Sequence, residues 1–129
     1  MGLQVSPQAG VVKETTTTLQ NAAVATGNGT ALTIVAGDVL YVTTLGADTP
    51  SSTITYEWSD DAGVSYVQAA LEDTLAAAGV ATRILTTAVS TTKARLRWVA
   101  PPGANRFRAR VSGYVSGNVT VVAIAQSRV

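Results

Sequence analysis

Apolar and polar residues alternate with a period of two over much of this chain. In STITYEW, residues 52–58, the apolar side chains are those of Ile54, Tyr56 and Trp58, and polar residues separate them. Side chains two positions apart in a β-strand lie on the same face of a sheet. Thr and Val are frequent in these stretches, and branching at Cβ favours strands over helices. The pattern therefore predicts a series of half-buried β-strands.

Turn signals divide the alternating stretches into about eight short strands. Gly27-Asn28-Gly29 and Gly37-Asp38 mark two turns. Pro50 lacks the N–H that a central strand needs, so we expect a strand to end before it. Residues 115–118, VSGN, are placed near the turn of a final hairpin. Short strands at this spacing predict an all-β fold: a single antiparallel β-sandwich, either jelly-roll-like or immunoglobulin-like.

Two segments depart from the strand pattern. Residues 1–14 are polar or small and have no clear period, so we interpret them as an N-terminal arm before a domain of residues 15–129. Residues 67–79, VQAALEDTLAAAG, have apolar residues at helical spacing, with Gly79 placed as a C-cap. We predict a short helix or an ordered loop there. No repeat of fixed period occurs, which argues against a propeller.

The composition narrows the class of function. The 129 residues include no Cys and no His, which excludes disulfides, Cys/His zinc sites and Ser-His-Asp or Cys-His nucleophiles. We therefore predict a protein that is not an enzyme and takes no cofactor. The N-terminus has no signal-peptide pattern, and no apolar run approaches the ~18 residues that span a bilayer. No membrane contact is expected.

Charge is sparse and unevenly distributed. Only 13% of the residues are charged, whereas about a quarter is usual. A domain packed in an assembly needs less charge than a free one, but a surface of Thr, Ser, Asn and Gln would also account for it. All eight acidic residues lie in residues 1–73, and eight of the nine basic residues follow Gly79. Either the two halves interleave and the charges pair, or opposite faces attract neighbouring subunits.

The segment SDDAGVSY, residues 59–66, fits the pattern Ser-x-Asp-x-Gly-x-(Ser/Thr)-aromatic, the Asp-box of sialidases and related propellers. Ser59 and Asp61 have short polar side chains that accept backbone N–H groups within a turn. Gly63 permits a positive φ, and Tyr66 is placed to fold back on the hairpin. In sialidases the box recurs and lies away from the catalytic pocket, whereas it occurs once here. We interpret these four residues as a structural hairpin.

Arginine alternates with apolar residues in the last third of the chain. Arg106, Arg108 and Arg110 fall on one face of a strand, and Arg95 and Arg97 do the same in the strand before. If these strands are neighbours, they present five arginines together. Such a row suits phosphate, as on a nucleic acid, or protein carboxylates, but no aromatic residue that stacks on bases lies on that face. We expect an interface with protein, within or between chains, rather than with nucleic acid.

Acidic residues in the middle of the chain suggest a metal site only weakly. Asp60 and Asp61, with Asp48 and Glu57 nearby, offer the oxygen ligands that calcium prefers. Their spacing does not match an EF-hand loop, and two adjacent acids are common in turns. We assign no metal.

Four aromatic residues, Tyr56, Trp58, Trp98 and Phe107, lie on the apolar side of alternating strands. Exposed in a row, they would form the platform of a carbohydrate-binding module. Inward aromatic residues at a period of two more often belong to the core. We therefore predict that these four are core residues.

Three stretches resemble a β-sandwich domain of tailed-bacteriophage structural proteins. They are a GNGT turn at Gly27–Thr30, an S-x-D-x-G hairpin at Ser59–Gly63 and the pattern R-x-R-x-S-x-Y-x-S-G-x-V-T-V at Arg108–Val121. The resemblance covers residues 16–125, and its C-terminal pattern is the most specific part. The tract from Ala69 to Ala81 is richer in Ala and acids than is usual in that family. The family supplies head, tail, baseplate and fibre-like components, with no enzymatic activity implied.

The resemblance implies a virion structural protein, made in the host cytoplasm and carried in the particle. We expect a small capsid decoration protein that assembles with itself and with other virion proteins such as the major capsid protein. A homotrimer follows by analogy with decoration proteins at local three-fold positions. A tail, neck or head-fibre component is the next alternative, and a carbohydrate-binding module that contacts the host surface is the rival from another class. In this account the arm reaches over a neighbour, and the Thr-rich edge strand pairs between subunits.

Overall fold

The computed structural model describes residues 12–74 and 83–128, and these ranges consist of strands, turns and loops. Nine antiparallel strands follow one another: β1 (Val12–Ala23), β2 (Leu32–Thr33), β3 (Val39–Ser59), β4 (Val67–Gln68), β5 (Leu71–Asp73), β6 (Arg83–Ile84), β7 (Thr86–Ala88), β8 (Ala94–Val99) and β9 (Arg106–Arg128). The prediction of an all-β chain is confirmed. Within the same ranges, no helix is long and apolar enough to cross a membrane.

Two long strands organise the sheet. The strand order is β1-β9-β3-β8-β5-β6, with β2 added to β9, and β4 and β7 added to β3. β3 and β9 contain 21 and 23 residues. They pair from Val39 opposite Gln126 to Ser59 opposite Arg106. The expected break at Pro50 and the expected final hairpin are therefore wrong, because both strands continue through these points.

Both strands bend at the same level instead of ending. The pairing of β3 with β9 shifts register between Ala47 and Ser51. Asp48 and Thr49 have φ angles of 58° and 54°, and Gly117 on the opposite strand has a φ of 72°. A Cβ on Gly117 would lie 2.6 Å from the carbonyl oxygen of Ala47, so a larger residue there meets the facing backbone. Such irregularities bend a ladder, and this bend folds the sheet into two layers.

The core lies between the two layers. The hydroxyl of Tyr56, in the second half of β3, lies 2.8 Å from Thr44 Oγ1 in the first half and 2.8 Å from Thr87 Oγ1 in β7. The ring of Trp98 in β8 packs 5.0 Å from the ring of Phe107 in β9. The Tyr56–Thr44 and Trp98–Phe107 contacts cross from one layer to the other, whereas β7 pairs with the half of β3 that carries Tyr56. The predicted sandwich-like architecture is thus confirmed, although a bent sheet rather than many short strands builds it.

The GNGT turn is fixed against β1 and β9. Gly27 exchanges backbone hydrogen bonds of 3.1 and 2.8 Å with Val111. The buried Gln20 amide donates to the carbonyl oxygen of Ala109 at 2.8 Å and to that of Gly27 at 3.2 Å. Gly29 has a φ of 66°, and a Cβ there would overlap the carbonyl oxygen of Leu19. The turn and Gln20 therefore connect β1 with the first half of β9.

The boundary of the predicted N-terminal arm and the predicted helix both differ from the structure. β1 begins at Val12, so residues 12–14, which we assigned to the arm, pair with the end of β9. Residues 1–11 lie outside the described ranges. The helical interpretation of residues 67–79 is wrong for residues 67–74, which contain β4 and β5. Ala69 and Leu71, two positions apart, are both buried, as the strand period requires. Residues 75–79 also lie outside the described ranges.

Candidate functional site

The segment SDDAGVSY forms the turn between β3 and β4. The hydroxyl of Ser59 accepts the N–H groups of Asp61 at 3.2 Å and Gly63 at 2.9 Å, and it donates to Asp61 Oδ1 at 2.6 Å. The carboxylate of Asp61 accepts the N–H of Ser65 at 2.9 Å and also the Ser65 hydroxyl. Ala62 and Gly63 have φ angles of 59° and 90°, which let the chain reverse. The polar groups of the box bind one another.

The turn is also tied to the loop before β9. The side-chain oxygen of Asn105 accepts the N–H of Ala62 at 3.0 Å, and the Asn105 N–H donates to the Ser59 carbonyl oxygen at 2.9 Å. The hydrogen bonds from Ser59 and Ser65 favour the charged carboxylate and lower the pKa of Asp61 to about 2. Asp61 is therefore held as an acceptor within the hairpin, which is a structural use of its charge.

Tyr66 connects the hairpin to the arginine row. Its hydroxyl lies 3.1 Å from the position that a Cβ on Gly63 would take, so the ring folds back on the turn. On the other side, the Arg108 guanidinium lies 3.7 Å from the ring centroid. This is the geometry of a cation–π contact. The ring therefore covers part of the arginine that the sequence offered as an interface residue.

Arg108 and Arg110 bind a carboxylate of their own chain. The side chain of Glu57 is only 11% exposed, and it lies 2.7 Å from Arg108 Nε and 3.3 Å from an Nη of Arg110. Arg106 donates to the carbonyl oxygen of the residue before it at 2.8 Å. Pairing within the chain, one of the two alternatives that the sequence left open, thus describes Arg108 and Arg110.

Arg95 and Arg97 lie elsewhere. β3 separates β8 from β9, and these two arginines pair with Thr43 and Tyr41 in the first half of β3. The expectation that five arginines lie on neighbouring strands is therefore wrong. Arg97 is 3.9 Å from Glu72, with side chains 36% and 71% exposed. A pair this exposed contributes little stability, so both groups remain accessible to other charges.

The sequence did not predict an apolar surface on the layer formed by the first half of β3, β8 and the second half of β9. We define the outer face as Tyr41, Leu45, Val99, Val122 and Ile124, whose neighbours along each strand point into the core. Tyr41 and Leu45 are each 37% exposed and Val99 is 45% exposed. The stretch VTVVAIA, residues 119–125, carried the signal, because apolar residues occupy both of its alternating positions. A strand with one face in water would alternate with polar residues.

The aromatic residues are mainly core. Tyr56 and Phe107 are fully buried and Trp98 is 7% exposed. Trp58 is half-buried, and it lines a pocket of about 200 Å³ together with Asp60, Ser65 and other residues. The described ranges bring together no group of three or more acidic residues that could hold a metal ion.

Comparison with known proteins shows a similarity of fold. No family model matches the chain, and no curated protein matches it. Among solved structures, the fold is similar to the crystal structure of the SPBc2 prophage-derived protein YomS, with a TM-score of 0.75 and 18% sequence identity. The match covers 98% of this chain and 100% of that one. The chain therefore has, along nearly its whole length, the fold of a prophage-derived protein.

Proposed function

We propose that this chain is a non-enzymatic structural protein of a bacteriophage particle, and specifically a small capsid decoration protein that acts by assembly. The observation that supports it best is the likeness to YomS over 98% of this chain and 100% of the other. This likeness extends over all three stretches that resemble phage structural domains. The surface of the molecule then indicates how such a protein would act.

The outer face suits contact with another protein. Its apolar side chains lie on a layer of regular strands, where Tyr41, Leu45 and Val99 are between 37% and 45% exposed. Contiguous apolar surface of this kind marks protein interaction sites more often than free surface does. Tyr is also enriched at the centre of interfaces, because its ring buries apolar area while its hydroxyl keeps a partner.

Arginine borders the outer face. Arg95 and Arg97 lie on the strand that carries Val99. Among the described acidic residues, Arg97 forms an ion pair only with Glu72, and that contact is long and exposed. A carboxylate on a capsid protein or on another copy would replace Glu72 at small cost. The desolvation of these groups makes each contact weak, but many copies on one lattice bind together.

Binding to particles tests the proposal. Particles of the phage that encodes the chain, prepared without it, are titrated with the purified protein, and bound protein is measured by quantitative gel densitometry. Saturation at a fixed copy number is expected. Tyr41→Lys with Val99→Lys should abolish this binding. Val64→Lys is the matched control, because Val64 is 86% exposed but lies in the β3–β4 turn. Absence of saturable binding by the unaltered chain contradicts the proposal.

A second candidate function is recognition of a host-surface carbohydrate, and one observation favours it. The half-buried indole of Trp58 lines its pocket beside the carboxylate of Asp60 and the hydroxyl of Ser65. Sugars bind through stacking on aromatic rings and hydrogen bonds to such groups. A glycan array tests this candidate. The carbohydrate function is favoured over the decoration function if the chain binds a glycan, Trp58→Ala removes this binding, and the unaltered chain does not bind particles.

A further inference from the structure

In the part of the chain that the structure describes, β1 is the outermost strand of the sheet and pairs only with β9. Residues 12–18 pair one to one with residues 128–122, and the first register shift follows Thr18. Among the described residues, no hydrogen bond reaches the outer backbone of this run. In an antiparallel pair, the N–H and C=O groups of alternate residues point away from the partner strand. This straight stretch of seven residues therefore presents free backbone groups at every second position.

This edge lacks most of the features that normally prevent strand pairing. Natural edge strands carry Pro, bulges, inward charges or several Lys residues. The run VKETTTT contains no Pro and no bulge. Its one Lys, Lys13, lies on the core-facing side of the strand, near its start and beside Leu32 and Ile34. Its four threonines favour strands, and their side chains are exposed, apart from the half-buried Thr17. An edge so regular is suited to accept another strand.

We propose that β1 pairs antiparallel with β1 of a second copy, about a two-fold axis at Thr15. A two-fold axis perpendicular to the sheet keeps inward residues opposite inward residues. Centring it on Thr15 uses the whole straight run and places Val12 opposite Thr18, Lys13 opposite Thr17, and Glu14 opposite Thr16. No like charges then face one another, and threonine pairs fill the contact. The two sheets become one sheet that crosses the subunit boundary.

The second copy is the occupant because the run complements itself. Its single Lys and single Glu cancel, and pairing about Thr15 places each of these charged residues opposite a threonine. The two-fold axis also brings the outer faces of both copies to the same side of the joined sheet, which doubles the apolar area that a capsid would meet. The inference deepens the proposed function and rests on it only for this last consequence.

The dimer should be weak. Seven strand residues span about 23 Å, and a single pair of strands buries less area than a standard interface. A weak contact of this kind is populated at the high local concentration of a particle lattice. In solution it should appear as a concentration-dependent equilibrium between monomer and dimer.

A charge-swap experiment on the full chain tests the pairing and its register. Thr15→Lys and Thr15→Glu each place like charges opposite one another at the two-fold axis, and each should weaken self-association about fivefold. An equimolar mixture should regain association at least equal to that of the unaltered chain, because Lys then faces Glu. Sedimentation equilibrium measures both. Hydrogen exchange should also slow in residues 12–18 as the concentration rises.

Thr92→Lys, in the exposed turn before β8, is the control for added charge, and circular dichroism shows whether each variant is folded. The inference is overturned if the unaltered chain stays monomeric at the highest soluble concentration, or if the mixture associates no better than its components. It is also overturned if Tyr41→Lys, but neither Thr15 variant, dissociates the dimer. Particle binding retained by the monomeric Thr15 variants would leave the proposed function in place.

Discussion

At the scale of single residues, the hydroxyl of Tyr56 shows how the two layers are held together. It is buried between the hydroxyls of Thr44 and Thr87, each at 2.8 Å. Burial raises the pKa of Tyr56, while the two hydrogen bonds lower it to a smaller extent. Each of the three groups satisfies another that would otherwise lie unpaired in the core.

Tyr56→Phe should therefore destabilise the fold by about 1–3 kcal/mol, because both threonine hydroxyls lose a partner within the protein. Tyr41→Phe is the control, since Tyr41 lies on the outer face and is 37% exposed. Urea denaturation followed by fluorescence compares the two. Equal stability of both variants would show that the buried hydroxyl network contributes nothing.

The two glycines of the GNGT turn provide a matched pair. A Cβ at Gly29 would overlap the Leu19 carbonyl oxygen in a backbone with a φ of 66°, whereas a Cβ at Gly27 meets nothing within 4 Å. Gly29→Ala should cost more than about 2 kcal/mol, and Gly27→Ala less than about 1 kcal/mol. Thermal denaturation measures the difference. A smaller effect at Gly29 than at Gly27 contradicts the described turn.

Asp61 gives the hairpin a pH dependence with a definite sign. Its pKa falls from 3.8 to about 2 in the folded chain, so the folded state favours the carboxylate. The resulting stability is complete above the usual pKa and is lost as the pH falls through about 2. Asp61→Asn should lower the free energy of unfolding at neutral pH. As the pH falls through about 2, this variant should lose less of its unfolding free energy than the unaltered chain. Parallel pH profiles of the unaltered chain and Asp61→Asn would contradict this role.

At the scale of elements, the two arginine groups should behave differently. Arg108→Gln removes a partner from the nearly buried Glu57 and should destabilise the fold by about 1–2 kcal/mol. Arg95→Gln, at an exposed position of β8, should change stability by less than about 0.5 kcal/mol. It should instead weaken binding to particles, most clearly at low salt. Denaturation and particle binding, measured on both variants, separate a structural role from an interface role.

The local faces of the strands could be predicted from the sequence, but the continuity of β3 and β9 could not. Alternation placed Ile54 and Tyr56 inward, because side-chain direction depends only on neighbouring positions. Pro50 and Gly117 looked like ends of strands. Whether such residues end a strand or bend it depends on whether the partner strand is irregular at the same level, and this pairing is a long-range property of the chain.

The same limit applies to the candidate site. The Asp-box lies within eight consecutive residues, so its types and spacing already indicated a turn. The arginines required knowledge of strand order: without β3 between β8 and β9, Arg95 and Arg97 were placed beside Arg108. The outer face was not predicted for a related reason. Apolar residues at both alternating positions of a strand indicate that both of its faces are covered, but the sequence does not show what covers the second face.

At the scale of the whole molecule, the N-terminal residues divide into two parts. A chain without residues 1–11 is the reference, because the described strands begin at Val12. A chain without residues 1–14 loses three pairs between β1 and β9 and should melt at a lower temperature. Calorimetry on the two truncated chains checks this. Equal melting temperatures would show that the start of β1 adds no stability.

The central claim is that this chain is part of a phage particle, and the composition of particles tests it most directly. Virions of the phage that encodes the chain are purified by density gradient and analysed by quantitative mass spectrometry against the major capsid protein. We expect the chain to be present in particles at a fixed ratio to the major capsid protein, and to be missing from particles when its gene is deleted. A chain that is abundant in the infected cell but missing from purified particles would contradict the account.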